Sequence, residues 1–276
     1  MILAQLTDLH LKAEGHLAYR QVDTAACLAA VLEHLRAQPV RPDLVLLTGD
    51  LADAGRPEEY ARLHAALAGL EGPVYLMAGN HDSRAALRAA FPEHAYLGTG
   101  EGPIRYTVEG FPLRVIALDS TLPGQGGGAL GAEQIAWLAD RLAEQPHRPT
   151  VVALHHPPFV TGIGHMDALG LADAAALARV IARHPQVERV LSGHLHRPIA
   201  TRWAGTLAST APSTAHQVAL DLRAEAPSAF MLEPPGYQLH WFAPDGMGDG
   251  TVVSHTACVG AWAGPFPFFD GGALID

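Results

Sequence analysis

Five short polar blocks in this sequence combine residue types that bind metal ions: Thr-Asp-Leu-His from Thr7 to His10, Gly-Asp at Gly49 and Asp50, Gly-Asn-His-Asp from Gly79 to Asp82, His-His-Pro-Pro from His155 to Pro158, and Gly-His-Leu-His from Gly193 to His196. Carboxylate, amide oxygen and imidazole together favour ions such as Mn, Fe, Co or Zn. No cysteine stands among them, which argues against a structural zinc site. Asp8 and His10 are two apart, as are His194 and His196, so from short extended segments each pair would share a face and grip a metal jointly. Asp50 stands alone between the other blocks, and its two oxygens make it the natural bridge between two ions. Two cations about 3.5 to 4 Å apart would activate water and clamp both oxygens of a phosphoryl transfer, replacing a protein nucleophile.

Each block directly follows an apolar run. The runs start at Ile2, Leu44, Val74, Leu113, Val151 and Val187, and each reads as a buried strand. Helical patterns alternate with them: Asp23 to Arg36, which opens on a capping Asp23, Pro57 to Gly69, Arg84 to Phe91, Ala132 to Glu144 and Ala172 to Arg183. This order predicts an α/β fold with a central, largely parallel sheet. Ligands of such sheets bind beyond the carboxyl ends of the strands, so the scattered blocks are expected to converge on one rim. Beyond residue 200 the helical period gives way to alternating stretches from Tyr237 and Thr251, read as edge or antiparallel strands. We therefore expect a catalytic core over 1–215 and C-terminal strands and tail over 216–276, serving as a cap or as oligomer contacts. The Gly-rich stretch Gly124–Gly128 is expected to be a mobile loop.

With 276 residues and 49% apolar composition, the chain can bury a large core. A net charge of −10 repels polyanions, so nucleic acid is excluded as an expected partner, whereas a small phosphate ester is compatible with local cations. Cys27 and Cys258 make no disulfide framework. No apolar run approaches the roughly 20 residues of a membrane span, and the expected location is cytoplasmic, without membrane association. A nucleotide-cofactor glycine motif and a nucleophile elbow are both absent.

The blocks in this order resemble the calcineurin-like metallophosphoesterase superfamily, most closely its bacterial glycerophosphodiesterases and class III cyclic-nucleotide phosphodiesterases. Further matches are Gly-Arg-Pro-Glu-Glu-Tyr from Gly55, Ala-His-Gln-Val from Ala215 and Ala-Gly-Pro from Ala263. The resemblance implies mixed β-sheets flanked by helices in an αββα sandwich with a small C-terminal accessory or cap region. It further implies that Asp8, His10, Asp50 and His196 hold a first metal and that Asp50, Asn80, His155 and His194 hold a second. His155 rather than His156 is implied as the ligand. Neutral Asn80 should hold the second ion more weakly. His81 and His216 are implied to contact the phosphoryl group or leaving oxygen, and Asp82 to orient the ligands. The implied activity is hydrolysis of small phosphodiesters by a metal-bound hydroxide, glycerophosphodiesters being favoured over 3′,5′-cyclic nucleotides. A metal-free scaffold, which keeps the fold and loses ligands, is the reading from a different class. A homo-oligomer, a dimer or dimer-based hexamer, is also implied.

Any one of these histidines alone would read as a hydrogen-bonded or surface residue; the weight lies in the ensemble. Histidines outside the blocks, His240 among them, are assigned to packing or solvent. His165, in a Gly-rich loop after Pro158, could line the substrate entrance, although a plain loop role is the first expectation.

Overall fold

The computed structural model describes residues 1–243, 250–271 and 273–275, so parts of the expected C-terminal region lie outside the described residues. In chain order the strands are β1 (Ile2–Leu6), β2 (Leu44–Thr48), β3 (Val74–Met77), β4 (Tyr106–Val108), β5 (Arg114–Ala117), β6 (Thr150–Ala153), β7 (Val187–Ser192), β8 (Ile199–Trp203), β9 (Thr206–Thr210), β10 (Gln217–Val218), β11 (Phe230–Met231), β12 (Gly236–Phe242), β13 (Val252–Cys258), β14 (Phe269–Asp270) and β15 (Ala273–Leu274). The helices are α1 (Thr24–Arg36), α2 (Pro57–Leu67), α3 (Arg84–Ala90), α4 (Gly131–Glu144), α5 (Gly164–Asp167) and α6 (Ala174–Ile181).

The strands build two principal sheets, where the apolar runs alone suggested one. The first has the order β13-β12-β1-β2-β3, and the second the order β4-β5-β6-β7-β9-β8. Runs buried on both faces look alike in sequence whichever sheet they join. Their pairing with opposite neighbours separates them here. Val115 and Ala117 of β5 and Val151 and Ala153 of β6 share a core with the first sheet, α1 and α2. The alternate residues Ile116 and Val152 instead pack with Leu138 and Leu142 of α4 and with Leu177 and Ile181 of α6. Period-two alternation thus makes four layers, helix, sheet, sheet and helix. Strands β12 and β13 join the first sheet, β12 pairing antiparallel with β1, so the sheet draws strands from both sides of residue 215.

Local chemistry accounts for the helix limits. Asp23 accepts the Ala26 N–H at 3.0 Å at the start of α1. Helix α6 is shorter than the expected 172–183; at its start Asp173 turns its carboxylate to the Leu130 and Gly131 N–H groups at the start of α4, at 3.1 and 2.8 Å. A buried glutamine ties the two sheets together: Gln5 Nε2 donates to Thr48 Oγ1 at 3.0 Å and to the Ser192 carbonyl at 2.9 Å. Its Oε1 faces His240 Nε2 at 3.0 Å, and His240 Nδ1 faces Ser254 Oγ at 2.7 Å. Among the described residues no helix is long and apolar enough to cross a membrane.

Candidate metal centre

Asp8 and His10 follow β1, Asp50 follows β2, Asn80 follows β3, His155 follows β6, and His194 and His196 follow β7. The expected single rim is therefore two rims, one from each sheet, facing each other. The backbone geometry also differs from the extended segments expected from spacing. Asp8, His10, Asp50, His194 and His196 all lie in the left-handed region, with φ of 51, 43, 48, 69 and 50°. Such residues cost roughly 1–2 kcal/mol each and persist only where the surroundings impose them. Here the loops are laced to one another: the Asp8 N–H donates to the Gly49 carbonyl at 3.1 Å, His10 to Asp50 at 2.9 Å, and Gly193 to His155 at 3.0 Å. Gly79 is required by the same crowding, since a Cβ there would lie 2.2 Å from both Asp50 N and Asp50 Oδ1.

Asp50 divides its two oxygens. Oδ1 accepts the His81 backbone N–H at 2.9 Å, which fixes the carboxylate. Oδ2 lies 3.5 Å from His10 Nε2 and 3.4 Å from His155 Nε2, between the two halves of the constellation. On one side His10 Nε2 faces His196 Nε2 at 3.1 Å, and His196 Nε2 is 3.5 Å from Asp8 Oδ1. On the other, Asn80 Oδ1 is 3.1 Å from both His155 Nε2 and His194 Nδ1. The potential donor atoms of Asp8, His10 and His196, and likewise those of Asp8, Asp50 and His155, lie within 4.8 Å of one another.

Carbonyl groups set the tautomers. His155 Nδ1–H donates to the Thr48 carbonyl and His196 Nδ1–H to the His216 carbonyl, both at 2.9 Å, which leaves the Nε2 lone pairs directed at the centre. Buried His194 Nε2 has no hydrogen-bond partner. Opposed lone pairs, this orphaned imidazole nitrogen and oxygen donors without sulfur make a donor set that fits cations.

Electrostatics point the same way. Burial raises Asp8 to about 6, with neighbouring Asp50 adding to it against the histidines. Burial acts likewise on Asp50, but His155, His10 and His81 outweigh it and hold this carboxyl well below the usual range. Burial opposes charge on His155, yet Asp50 and Asp8 raise it to about 9. His196 and His216 are pushed down to about 3 by burial and by neighbouring imidazoles. Asp50 and Asp8 thus attract positive charge into a place where most imidazoles stay neutral.

His156 lies within 4.8 Å of His155 and His194 by its potential ligand atom, but both of its ring nitrogens are taken. Nδ1 meets Ser120 Oγ at 2.8 Å, and Nε2 meets the Gly126 carbonyl at 3.1 Å. The Gly124–Gly128 stretch, expected to be a free loop, is pinned at this end: the Gly128 N–H donates to the Gly170 carbonyl at 3.1 Å, and the Ala172 N–H to the Gly128 carbonyl at 2.8 Å. A Cβ on Gly128 would meet His156 Nδ1 at 2.3 Å, so glycine is needed for contact rather than for motion. Asp82 accepts the N–H groups of Leu51, Ala52 and Gly79 and the Tyr60 hydroxyl at 2.8 to 3.1 Å, holding two ligand loops together.

A sequence profile of the calcineurin-like phosphoesterase family matches residues 1–198. The chain belongs to that family. Along its full length it is 37% identical to the "probable glycerophosphodiester phosphodiesterase" of Arcobacter nitrofigilis over 278 residues, covering 100% of both chains. It is 38% identical to a "probable cyclic nucleotide phosphodiesterase" of a Synechococcus species over 249 residues, 88% of this chain and 93% of that one. A dimetal phosphatase from Danio rerio superposes with a TM-score of 0.61 at 17% identity, covering 94% of this chain and 99% of that chain, and so shares the fold.

In this calcineurin-like phosphoesterase the constellation opens into a cavity of about 420 Å³, whose lining includes His10, Asp50, Asn80, His81, His194 and His196. His81 Nδ1–H donates to the Asp53 carbonyl at 2.7 Å, leaving Nε2 available. His216, whose Nδ1 is buried without a partner, also lines the cavity. His165 is brought to the cavity by α5, a one-turn helix that sequence reading left as loop. Sequence reasoning missed Asp53, whose carboxylate pairs with Lys12 Nζ at 2.6 Å and faces His10 Nδ1 at 3.4 Å. Its place three residues after Asp50 was an available signal. It also missed Phe230, for which a lone aromatic in an irregular stretch carries none.

Proposed function

We propose that the chain is a two-metal phosphodiesterase acting on small phosphodiesters, glycerophosphodiesters being the favoured class. The observation that carries this reading is the division of Asp50, with one oxygen fixed by the protein and the other set between two groups of ligands. Asp8, His10, Asp50 and His196 would hold one ion, and Asp50, Asn80, His155 and His194 the other. When bound, Fe, Mn, Co or Zn would supply an activated water and neutralise charge on the phosphoryl oxygens. The protein supplies the rest. Carbonyl-fixed imidazoles present their Nε2 atoms without reorganisation. His81, through its available Nε2, and His216 stand where a proton could pass to the leaving oxygen.

Full-length similarity to a protein named as a glycerophosphodiester phosphodiesterase supports the favoured class. Similarity to a protein named as a cyclic nucleotide phosphodiesterase supports the second reading, a 3′,5′-cyclic nucleotide substrate. Nucleic acid fits poorly with the charge of −10 and with a cavity whose described lining contains no Lys or Arg. Residues 1–215 carry the ligands in this proposal, while 216–276 supply a cavity wall and homo-oligomer contacts, for which exposed Trp262, Phe266 and Phe268 are the candidates. Free Cys27 and Cys258 suit the reducing cytoplasm.

The test is chelation followed by restoration with Fe, Mn, Co and Zn in turn, scored on glycerophosphoethanolamine and cyclic AMP. Faster turnover of the glycerophosphodiester is expected; faster turnover of cyclic AMP would replace the favoured class with the second. Full activity after chelation, or no metal uptake, would overturn the two-metal reading.

A further inference from the structure

Helix α5 brings one polar side chain, His165, to the cavity between two apolar ones, Met166 and Leu169. Its backbone is closely held. Asp167 Oδ1 accepts the Thr161 N–H and hydroxyl, both at 2.8 Å, and Oδ2 accepts the Gly162 N–H at 2.9 Å. Ile163 is buried beneath the turn, and its carbonyl accepts the Met166 and Asp167 N–H groups at 2.9 Å. A helix of one turn has little stability of its own, so these contacts decide where the imidazole stands.

The ring itself is unengaged. Nδ1 of His165 is buried and has no hydrogen-bond partner. Of the two neutral tautomers, the one protonated at Nδ1 would bury an unanswered N–H, which costs more than an unused lone pair. The tautomer with its hydrogen on Nε2 is therefore favoured, and Nε2 is the nitrogen left to face the cavity. His165 thus offers a hydrogen-bond donor that no protein group uses.

Few other groups in the lining are free to read a substrate. Tyr19, at the tip of a hairpin closed by paired N–H···O bonds of 2.9 Å between Ala18 and Val22, stacks on Phe230 at 4.9 Å. Besides the metal-centre residues, His81 and His216, the polar side chains of the described lining are those of Tyr19, His165 and Ser228. Tyr19 and Ser228 are exposed, whereas His165 is half-buried, where less water competes for its proton.

We propose that His165 is a specificity-determining residue whose Nε2–H donates a hydrogen bond to a hydroxyl of the glycerol portion of the substrate. This rests on the glycerophosphodiesterase reading, which puts the phosphoryl group at the metal ligands and a hydroxylated three-carbon chain in the rest of the cavity. A single placed donor of this kind gives hydroxylated ligands a roughly two- to tenfold advantage in affinity over ligands that lack the hydroxyls.

The test is calorimetric titration of Mn-loaded protein with 3,4-dihydroxybutylphosphonate and with butylphosphonate, two non-hydrolysable ligands of equal chain length. The wild type should bind the diol more tightly. His165→Ala and His165→Phe should abolish that preference while leaving butylphosphonate affinity and metal content unchanged, the second variant keeping the bulk of a ring without the donor. His165→Gln, which retains an N–H donor, should keep part of the preference. Equal affinities in the wild type, or a preference that survives both His165→Ala and His165→Phe, would overturn the assignment of His165 alone. An equal loss for both phosphonates in those variants would also overturn it, marking a structural role. If metal-loaded wild type binds neither compound, the phosphoesterase reading falls and takes this one with it.

Discussion

The two sides of the cavity are built in opposite ways. The metal-binding side comes from the ends of parallel strands in both sheets, where buried hydrogen bonds fix each loop against the next. The adjoining wall comes from the hairpin at 18–22 and the β10–β11 pair, which share only a small cluster. The difference is one of support. Groups suited to holding cations sit on laced strand ends, whereas the adjoining wall sits on lightly supported loops.

Substitutions on the rigid side should have the largest effects. Asp50→Ala removes the shared carboxylate, and we expect loss of both metals with a fall in kcat of roughly a thousandfold or more. Elemental analysis alongside diesterase kinetics checks this; a variant retaining both ions would break the bridging assignment. Asn80→Ala should be milder, releasing the ion on its own side while the other stays, with activity down roughly 10- to 100-fold. Metal stoichiometry near one per chain is the expected reading, and simultaneous loss of both ions would contradict the division into two halves.

Beneath the metal-binding side, His240 gives a pH test. Burial, with Arg189 adding to it, lowers this imidazole to about 3. The folded pKa lies below the ordinary value of about 6.5, so the contribution to stability is complete above that pH and is lost as pH falls towards 3. The unfolded chain takes up a proton that the fold refuses, giving a slope of about 1.4 kcal/mol per pH unit at most from this group. Denaturant unfolding at pH 7 and pH 5 should show that loss, and His240→Gln should flatten it; an unchanged slope would show that His240 does not carry the acid-sensitive contribution. The smallest effect is expected from Phe230→Ala, which should leave metal content unchanged. Coupled loss of metal in that variant would show that the two sides are not independent.

How much was legible follows from the length scale of each feature. Every expected metal ligand lies at a strand end beside the others, because short motifs after apolar runs state both residue type and position. Asp8 and His10 nevertheless approach each other through left-handed backbone, not through the extended alternation their spacing suggested. Runs such as those at Leu44 and Val151 announce buried strands without saying which sheet receives them. The pinning of Gly126 and Gly128 against His156 was hidden because glycine reads the same whether it provides freedom or close contact.

By itself, the sequence determined the order of the principal core strands and helices and the donor chemistry, since these depend on local pattern and side-chain type. Tertiary structure alone decided that two sheets rather than one bring the ligands together, that His156 is tied to Ser120 and Gly126, and that Tyr19 meets Phe230. Those outcomes depend on contacts between residues far apart in the chain, and such contacts arise only when whole layers pack.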